Sequence, residues 1–497
     1  MKKILTEKYS LPFFCLFCAI VFLAVCSRSS PLYPTNDWVD ANVYLTIGRG
    51  MHHGLMPYRD LLDQKGPLIY LIHWVAAAIS ETSFLGVWLM EVAAAACFLY
   101  ACARILLLFC SQRWTLFSLP LIAACVYTSA SFSQGDSAEE FCLPFLTMAL
   151  YFFFAYFHCE KTPPLWIFFV NGIAAGAIFW IKYTLLGLHF AWMACFAFLI
   201  WIAGHSFRRA LVSCGAFLGG MAAISIPILL PYALENVLPD LFQTYFLTNL
   251  TSYASAPAHW STPLYNVVVC GIQTALANPI WAVLCLAGGL FFLLDRTMLS
   301  LAGKAALVCL AFSTGFFIWG ASMGWPYYGF PLSAFVPLGF VCLERICKKC
   351  PAQLPERLTR VSFLPSLALG LILCLLVSSN VPFMQVRRED LVQTKFAAII
   401  RQEGGQSLLN YGFLDGGFYL SSGILPSCRF FCRLNLTNYQ QLEEPVRQMV
   451  AQGAFDFIIT REEGPLPGME DNYELVCTEY QMYDGVLFPY SLFRKKA

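Results

Sequence analysis

Apolar residues in this chain come in long blocks rather than alternating or amphipathic stripes, and the blocks recur from near the N-terminus to about residue 382. A helix needs about 20 apolar residues to cross a bilayer. On that rule eleven spans are expected, near 11–27, 85–109, 115–132, 141–158, 165–181, 184–203, 210–232, 279–294, 305–321, 327–343 and 362–382. The run Pro67–Ile79 is too short to span and is expected to lie along or dip into the interface. Leu11–Cys26 follows Lys2, Lys3 and Lys8 as a leader peptide would, but it lacks a convincing small-x-small cleavage site and many spans come after it. It is read as a retained first helix.

Beyond Pro382 the pattern changes. Residues 383–497 are polar enough for a small soluble domain. Ser407–Asn410 and Phe455–Thr460 read as buried strands, each preceded by a helical pattern, Leu391–Arg401 and Leu442–Gln452. The expected architecture is a polytopic α-helical membrane domain over 1–382, with a compact α/β domain over 383–497.

Composition sharpens the class. The 497 residues are 58% hydrophobic and only 12% charged, beyond the range of an ordinary globular protein. A net charge of +1 provides no basic face for a polyanion, so no nucleic-acid partner is expected. Most of the 21 cysteines lie in apolar runs, where Cys behaves as a small hydrophobe. Cys347-Lys348-Lys349-Cys350 has C-x-x-C spacing but no second pair, and no cofactor is expected from it.

Basic residues orient the chain. Lys2, Lys3, Lys8, Arg104, Arg113, Lys161, Arg208, Arg209, Arg296, Lys304, Arg345, Lys348, Lys349, Arg357 and Arg360 all fall on one side of the expected spans. That side is read as cytoplasmic. The opposite, extracytoplasmic side receives Asp37–Pro67, the acids Asp136, Glu139 and Glu140, Lys182, the 233–278 segment, Trp325–Tyr328 and the C-terminal domain. The 233–278 segment, with Tyr245, Tyr253, Trp260 and Tyr265 among Pro239, Pro257 and Pro263, suits interfacial helices and turns. Its sequon, Asn249-Leu250-Thr251, would matter only in a eukaryotic secretory compartment.

Charge is concentrated between Asp37 and Pro67. There Asp37, Asp40, Asp60 and Asp63 interleave with Arg49, Arg59 and Lys65. Charges held at a membrane surface are costly unless they bind something or do chemistry. If the stretch is helical, Asp37, Asp40 and Tyr44 share a face. Asp37 suits an N-cap; Asp40 is the candidate general base, or a ligand for a hard cation. Lys65 and Arg59 are placed to meet a lipid phosphate, although Arg59 could instead pair with Asp60 or Asp63. Glu139 and Glu140 begin a span, where acids favour the helix dipole, but three acids counting Asp136 exceed what a cap needs. Lys182, between two apolar runs, requires an anionic partner, either a substrate phosphate or one of those acids. Tyr327 and Tyr328 could line a site or belong to an aromatic belt.

These residues resemble a known pattern. Asp40-x-x-x-Tyr44, Gly54-x-x-Pro57-Tyr58-Arg59-Asp60 and Asp63-x-Lys65-Gly66-Pro67-Leu68 are similar to the first outer loop of GT-C membrane glycosyltransferases, in the bacterial branch related to protein O-mannosyltransferases and lipid A aminoarabinose transferases. Ala138-Glu139-Glu140-Phe141, Lys182-x-Thr184 and Tyr327-Tyr328-x-x-Pro331 also resemble that branch. Asn410-Tyr411-Gly412 and Asp415-Gly416-Gly417 resemble the tails of its bacterial members. Two departures stand out. Ala41 follows Asp40 where many members have a second acid, which weakens a metal at this loop, and Lys65-Gly66-Pro67 replaces Lys-Pro-Pro.

The resemblance implies an inverting transfer of a sugar from a polyprenyl-phosphate donor to a hydroxyl acceptor on a glycan, lipid or protein. It implies Asp40 as the catalytic carboxylate and Glu139 as a second acidic catalytic residue. Lys65, Arg59, Tyr58, Lys182, Tyr44 and Tyr328 are the expected substrate-binding residues, and no metal is assigned. The competing class is a flippase or transporter of lipid-linked sugars, which would carry ionisable groups near the midplane and often internal repeats.

Overall fold

A computed structural model of the chain describes residues 2–159, 163–202, 204–253, 261–321, 324–349, 363–435 and 439–496. Lys161, Pro257, Trp260, Cys350, Arg357 and Arg360, all used in the sequence reading, lie outside the described residues. The first nine helices are α1 (Lys2–Cys26), α2 (Val39–His52), α3 (Pro67–Ile79), α4 (Leu85–Phe109), α5 (Gln112–Tyr127), α6 (Ala138–Cys159), α7 (Leu165–Lys182), α8 (Gly187–Ile202) and α9 (Phe207–Leu234).

Among the described residues, six helices are long and apolar enough to cross a bilayer: Leu85–Phe109, Ala138–His158, Leu165–Leu185, Phe207–Leu234, Leu301–Trp319 and Pro326–Lys348. Each matches an expected span. A seventh is made if Thr262–Ala277 and Pro279–Leu294, bent by 119° at their junction, count as one. The sequence reading began that span at 279 and left 262–277 within a segment of interfacial helices and turns. The bend has a local cause, since Pro279 has no N–H to continue the ladder. Asn278 partly restores it by donating its side-chain amide to the Thr274 carbonyl at 2.9 Å and to Ser131 Oγ at 3.1 Å. The spans expected near 11–27, 184–203 and 362–382 are the shorter apolar helices Ser10–Cys26, Gly187–Ile202 and Leu364–Val377. α3 is likewise short and apolar, as its length predicts.

The chain divides into two compact units, one of 1–27, 91–227 and 256–381, the other of 28–90, 228–255 and 382–497. In the first, helices pack closely where side chains are small. A Cβ on Gly172 of α7 would lie 1.9 Å from the Phe217 carbonyl oxygen of α9, so only glycine allows that approach.

The second unit holds a four-stranded sheet ordered β1-β2-β4-β3, with β1 (Leu408–Asn410), β2 (Phe457–Thr460), β3 (Tyr473–Tyr483) and β4 (Val486–Lys495). β1 pairs parallel with β2, and β4 lies antiparallel to both β2 and β3. The expected strands and helices are present, as Val392–Gln402 before β1 and Tyr439–Ala451 before β2. The β3–β4 hairpin was not anticipated. Its two-residue loop, Asp484-Gly485, has both φ angles positive (52° and 80°), the geometry that matches strand twist. Leu409, Val446, Val450, Phe455, Ile458, Tyr473 and Phe493 form a core beneath the sheet.

Candidate active site

The second unit brings the charged stretch and the C-terminal segment into one body, and α2 is the element both use. Asn36 Oδ1 accepts the Trp38 backbone N–H at 3.0 Å, turning the chain into a helix that begins at Val39. Asp37 is therefore not the N-cap. It pairs instead with Arg28 at 2.5 Å, and Trp38 occupies the cap position. At 3.6 residues per turn, Asp40 and Tyr44 occupy one face, while Asn42, Thr46 and Arg49 occupy the opposite one.

On the first face, Lys65 Nζ lies 3.2 Å from Asp40 Oδ2, and the Tyr44 hydroxyl donates to the same oxygen at 3.3 Å. Both charged side chains keep a little solvent contact, 18% for Asp40 and 13% for Lys65. Lys65 is fixed through its backbone. Its carbonyl accepts the Tyr58 hydroxyl at 2.8 Å, and its N–H donates to the Tyr70 hydroxyl at 3.1 Å. The Tyr70 hydroxyl in turn donates to Asp63 Oδ2 at 2.8 Å. Tyr58 is fully buried in the left-handed region (φ 72°), a conformation that costs about 1 kcal/mol or more outside glycine. It packs on Tyr70 and Tyr232, so it holds the Lys65 loop from behind.

Asp63, not singled out as a site residue from sequence, is buried beside this pair. Desolvation raises its carboxyl pKa, with the Lys65 charge and the Tyr70 hydrogen bond opposing the rise. Gln64 is bound as well: its carbonyl accepts the Asn249 side-chain amide at 2.8 Å, which gives the sequon asparagine a role in packing.

Arg59 goes elsewhere. It bonds Asp60 with Nε and Nη2 at 2.9–3.2 Å and approaches Glu235 at 3.6 Å. Asp60 is partly desolvated, but bonds from Arg59 and from the Met56 N–H hold its pKa below the usual carboxylate value. The structure thus gives Arg59 the surface pairing that the sequence reading kept as an alternative. An exposed pair of this kind contributes little stability.

The opposite face of α2 docks on the C-terminal segment. Thr46 Oγ1 donates to Asp415 Oδ2 at 2.6 Å, and Asp415 Oδ1 accepts from Asn410 Nδ2 at 3.0 Å and the Gly417 N–H at 2.9 Å. Arg49 Nη1 donates to the Tyr419 carbonyl at 3.1 Å. The Leu62 N–H donates to the Arg429 carbonyl at 2.8 Å, close to Lys65 in the chain. Asp415 is fully buried, and desolvation raises its pKa against the pull of Thr46, Gly417 and Arg49. α3 crosses α2 at Gly48, where a Cβ would meet the His73 carbonyl at 2.5 Å.

The other expected residues lie in the first unit. Lys182, at the end of α7, has its Nζ 2.5 Å from Glu139 Oε1 and 3.7 Å from the centre of the Tyr328 ring, with Tyr327 at 5.7 Å. Glu139 is 1% exposed and Lys182 15%. Glu139 is thus one of the two kinds of partner expected for Lys182. Asp136 and Glu140 belong to a different group. The Asp136 N–H donates to Glu91 Oε1 at 2.9 Å and Glu140 Oε2 at 3.0 Å, and Ser27 Oγ also donates to Glu91. Glu91, enclosed in the apolar run of α4, had no local signal of a partner. Among the described residues, no three His, Cys, Asp or Glu side chains gather as a metal site.

A family model described as the competence-induced protein Ccs4 N-terminal domain matches residues 3–211. No curated protein matches the chain. Two crystal structures of ArnT from Cupriavidus metallidurans are similar over 98% of this chain and 98% of theirs at 14% identity. One is bound to undecaprenyl phosphate (TM-score 0.62) and the other is in the apo state (TM-score 0.59). The chain therefore has the fold seen in ArnT, and its apolar helices are those of a multi-pass membrane protein.

Proposed function

We propose that the protein transfers a sugar from a polyprenyl-phosphate donor to a hydroxyl acceptor at the extracytoplasmic membrane face, with inversion at the anomeric carbon. The observation that carries this reading is the Asp40–Lys65 pair at 3.2 Å, in a chain that shares its fold with a protein bound to undecaprenyl phosphate.

In the proposed step, Asp40 takes the proton from the acceptor hydroxyl as its oxygen attacks the anomeric carbon. The carbon–oxygen bond to phosphate breaks on the opposite side, and the lipid phosphate leaves with the electron pair. Lys65 neutralises the charge that grows on that phosphate. Before donor binds, the ammonium is held by Asp40. A donor phosphate competes for it and frees the carboxylate to act as base, so donor binding prepares the acceptor side. Tyr44 keeps one Asp40 oxygen oriented, while Tyr58 and Tyr70 fix the Lys65 backbone. The polyprenyl chain stays in the bilayer throughout.

Glu139 and Lys182 are proposed as a second polar pair for substrate, with Tyr328 as the aromatic wall on the ammonium. The N-terminus is proposed to be cytoplasmic, as the basic residues imply. Reconstituted protein supplied with labelled polyprenyl-phosphate sugars and candidate acceptors tests the class. Release of polyprenyl phosphate that depends on acceptor supports transfer. Movement of intact donor across the bilayer without release would make the protein a flippase.

A further inference from the structure

Arg104 lies inside a membrane span. It stands five residues before α4 ends at Phe109, about 7.5 Å from the terminus at 1.5 Å per residue. Residues 105–109 between it and the end are all apolar, and Leu107 among them is exposed. A guanidinium at such a depth is costly unless it reaches the headgroups or meets an anion. Among the described residues no carboxylate pairs with it. Its Nη1 donates instead to the Tyr100 hydroxyl at 3.2 Å, and its Nη2 to the hydroxyl of Tyr151 on α6 at 2.6 Å. The Tyr151 ring centre is 4.9 Å from the guanidinium carbon.

These bonds use each phenol as an acceptor only. The O–H protons of Tyr100 and Tyr151 have no acceptor among the described residues. Tyr100, Arg104 and Tyr151 are each half-buried, so the group is reached from outside the helices. One fixed cation flanked by two phenol donors suits a phosphate, whose several oxygens accept from all three. With an apolar, partly exposed turn between Arg104 and the helix end, the anion alongside is a lipid headgroup and not a solute in bulk water. The basic residues identify the side. Ser111, just past α4, donates through its N–H and Oγ to Glu344, Glu344 pairs with Lys348 at 3.1 Å, and Arg113 is exposed nearby in the chain. This is the side read as cytoplasmic.

We propose that Arg104, Tyr100 and Tyr151 bind the phosphate of an anionic phospholipid in the cytoplasmic leaflet, against α4 and α6. A zwitterionic phospholipid binds more weakly, because its own ammonium already neutralises the phosphate and is repelled by Arg104. The site shares no residue with the transfer reading and stands or falls apart from it.

Lipid binding tests this without any sugar transfer. Purified full-length protein in dodecyl maltoside is titrated with phosphatidylglycerol or phosphatidylcholine, and bound lipid is counted by native mass spectrometry. The wild type should hold phosphatidylglycerol at least about tenfold more tightly, the size of a charged hydrogen bond. Arg104→Met should abolish that preference. The double variant Tyr100→Phe/Tyr151→Phe keeps the charge and the rings, guarding against a Met variant that fails to fold. It should weaken the preference severalfold, because the two donors are gone. Arg113→Gln removes an exposed cation near the same helix end and should bind as the wild type does. Inorganic phosphate at matched concentration should not displace the lipid. No preference in the wild type, an unchanged preference in Arg104→Met or in the double variant, or an equal loss in Arg113→Gln overturns the proposal. Displacement by inorganic phosphate overturns the lipid assignment and makes the ligand a soluble anion.

Discussion

Lys65 and Asp40 are 25 positions apart in sequence and 3.2 Å apart in space, one on a loop and the other on the first turn of α2. Neither element fixes that distance alone. The loop is tied by Tyr58 and Tyr70, and the helix is tied on its far face by the C-terminal segment. This double support holds the carboxylate and the ammonium together.

Lys65 is the most direct target after Asp40. Lys65→Met removes the charge opposite the leaving phosphate, while Tyr58 and Tyr70 still hold its backbone. We expect kcat/KM to fall by about a hundredfold or more, the range for losing one electrostatic contact to a developing anion. A change in donor KM with unaltered kcat would assign Lys65 to binding alone.

The docking of α2 on the C-terminal segment should be felt at Asp40. Thr46→Val leaves Asp415 Oδ2 without its donor in a fully buried position. The expected cost is about 1–3 kcal/mol, read as a lower melting temperature. The variant should also lose kcat more than donor affinity, since α2 sets Asp40 while the loop sets Lys65. Thr46→Ser, which restores the hydroxyl, should recover both.

Asp63 predicts a pH effect of definite sign. Burial raises its pKa in the folded protein, so the folded state holds that proton more tightly than the unfolded chain. Its contribution to stability is full below the ordinary carboxylate pKa and is lost as pH rises through the raised folded value. Melting temperature followed from acid to neutral pH should therefore fall less steeply in Asp63→Asn than in the wild type. Parallel curves would mean that Asp63 ionises as an ordinary surface acid.

Glu139 and Lys182 form a pair in which the acid is almost wholly buried. Removing one partner strands the other, at roughly 3–5 kcal/mol, whereas removing both does not. Lys182→Met should thus destabilise the protein more than the double variant Lys182→Met/Glu139→Gln. Additive losses in thermal unfolding would show the two side chains to be energetically independent.

How much of this could be read from sequence depended on the range of the interaction. Asp40 and Tyr44 lie one helical turn apart, and their shared face was legible from spacing. The strands at Leu408–Asn410 and Phe457–Thr460 were legible as short apolar runs between helical patterns. The β3–β4 hairpin was not read, because both strands mix polar and apolar residues along exposed faces; the Asp484-Gly485 pair was its one clear local signal. Asp37 was misread as a cap because the partner that claims it, Arg28, precedes it in an irregular segment. Asp415 was seen only within an Asp-Gly-Gly run. Its partner Thr46 is 369 positions away, and no local pattern encodes a contact of that span.

Asp40 carries the central claim, and Asp40→Asn tests it most directly. Purified wild type and variant are compared for release of polyprenyl phosphate from labelled donor in the presence of acceptor, with donor binding measured in parallel. Asp40→Asn should bind donor but turn it over at least about a hundredfold more slowly. Turnover at the wild-type rate by a folded Asp40→Asn protein would contradict it.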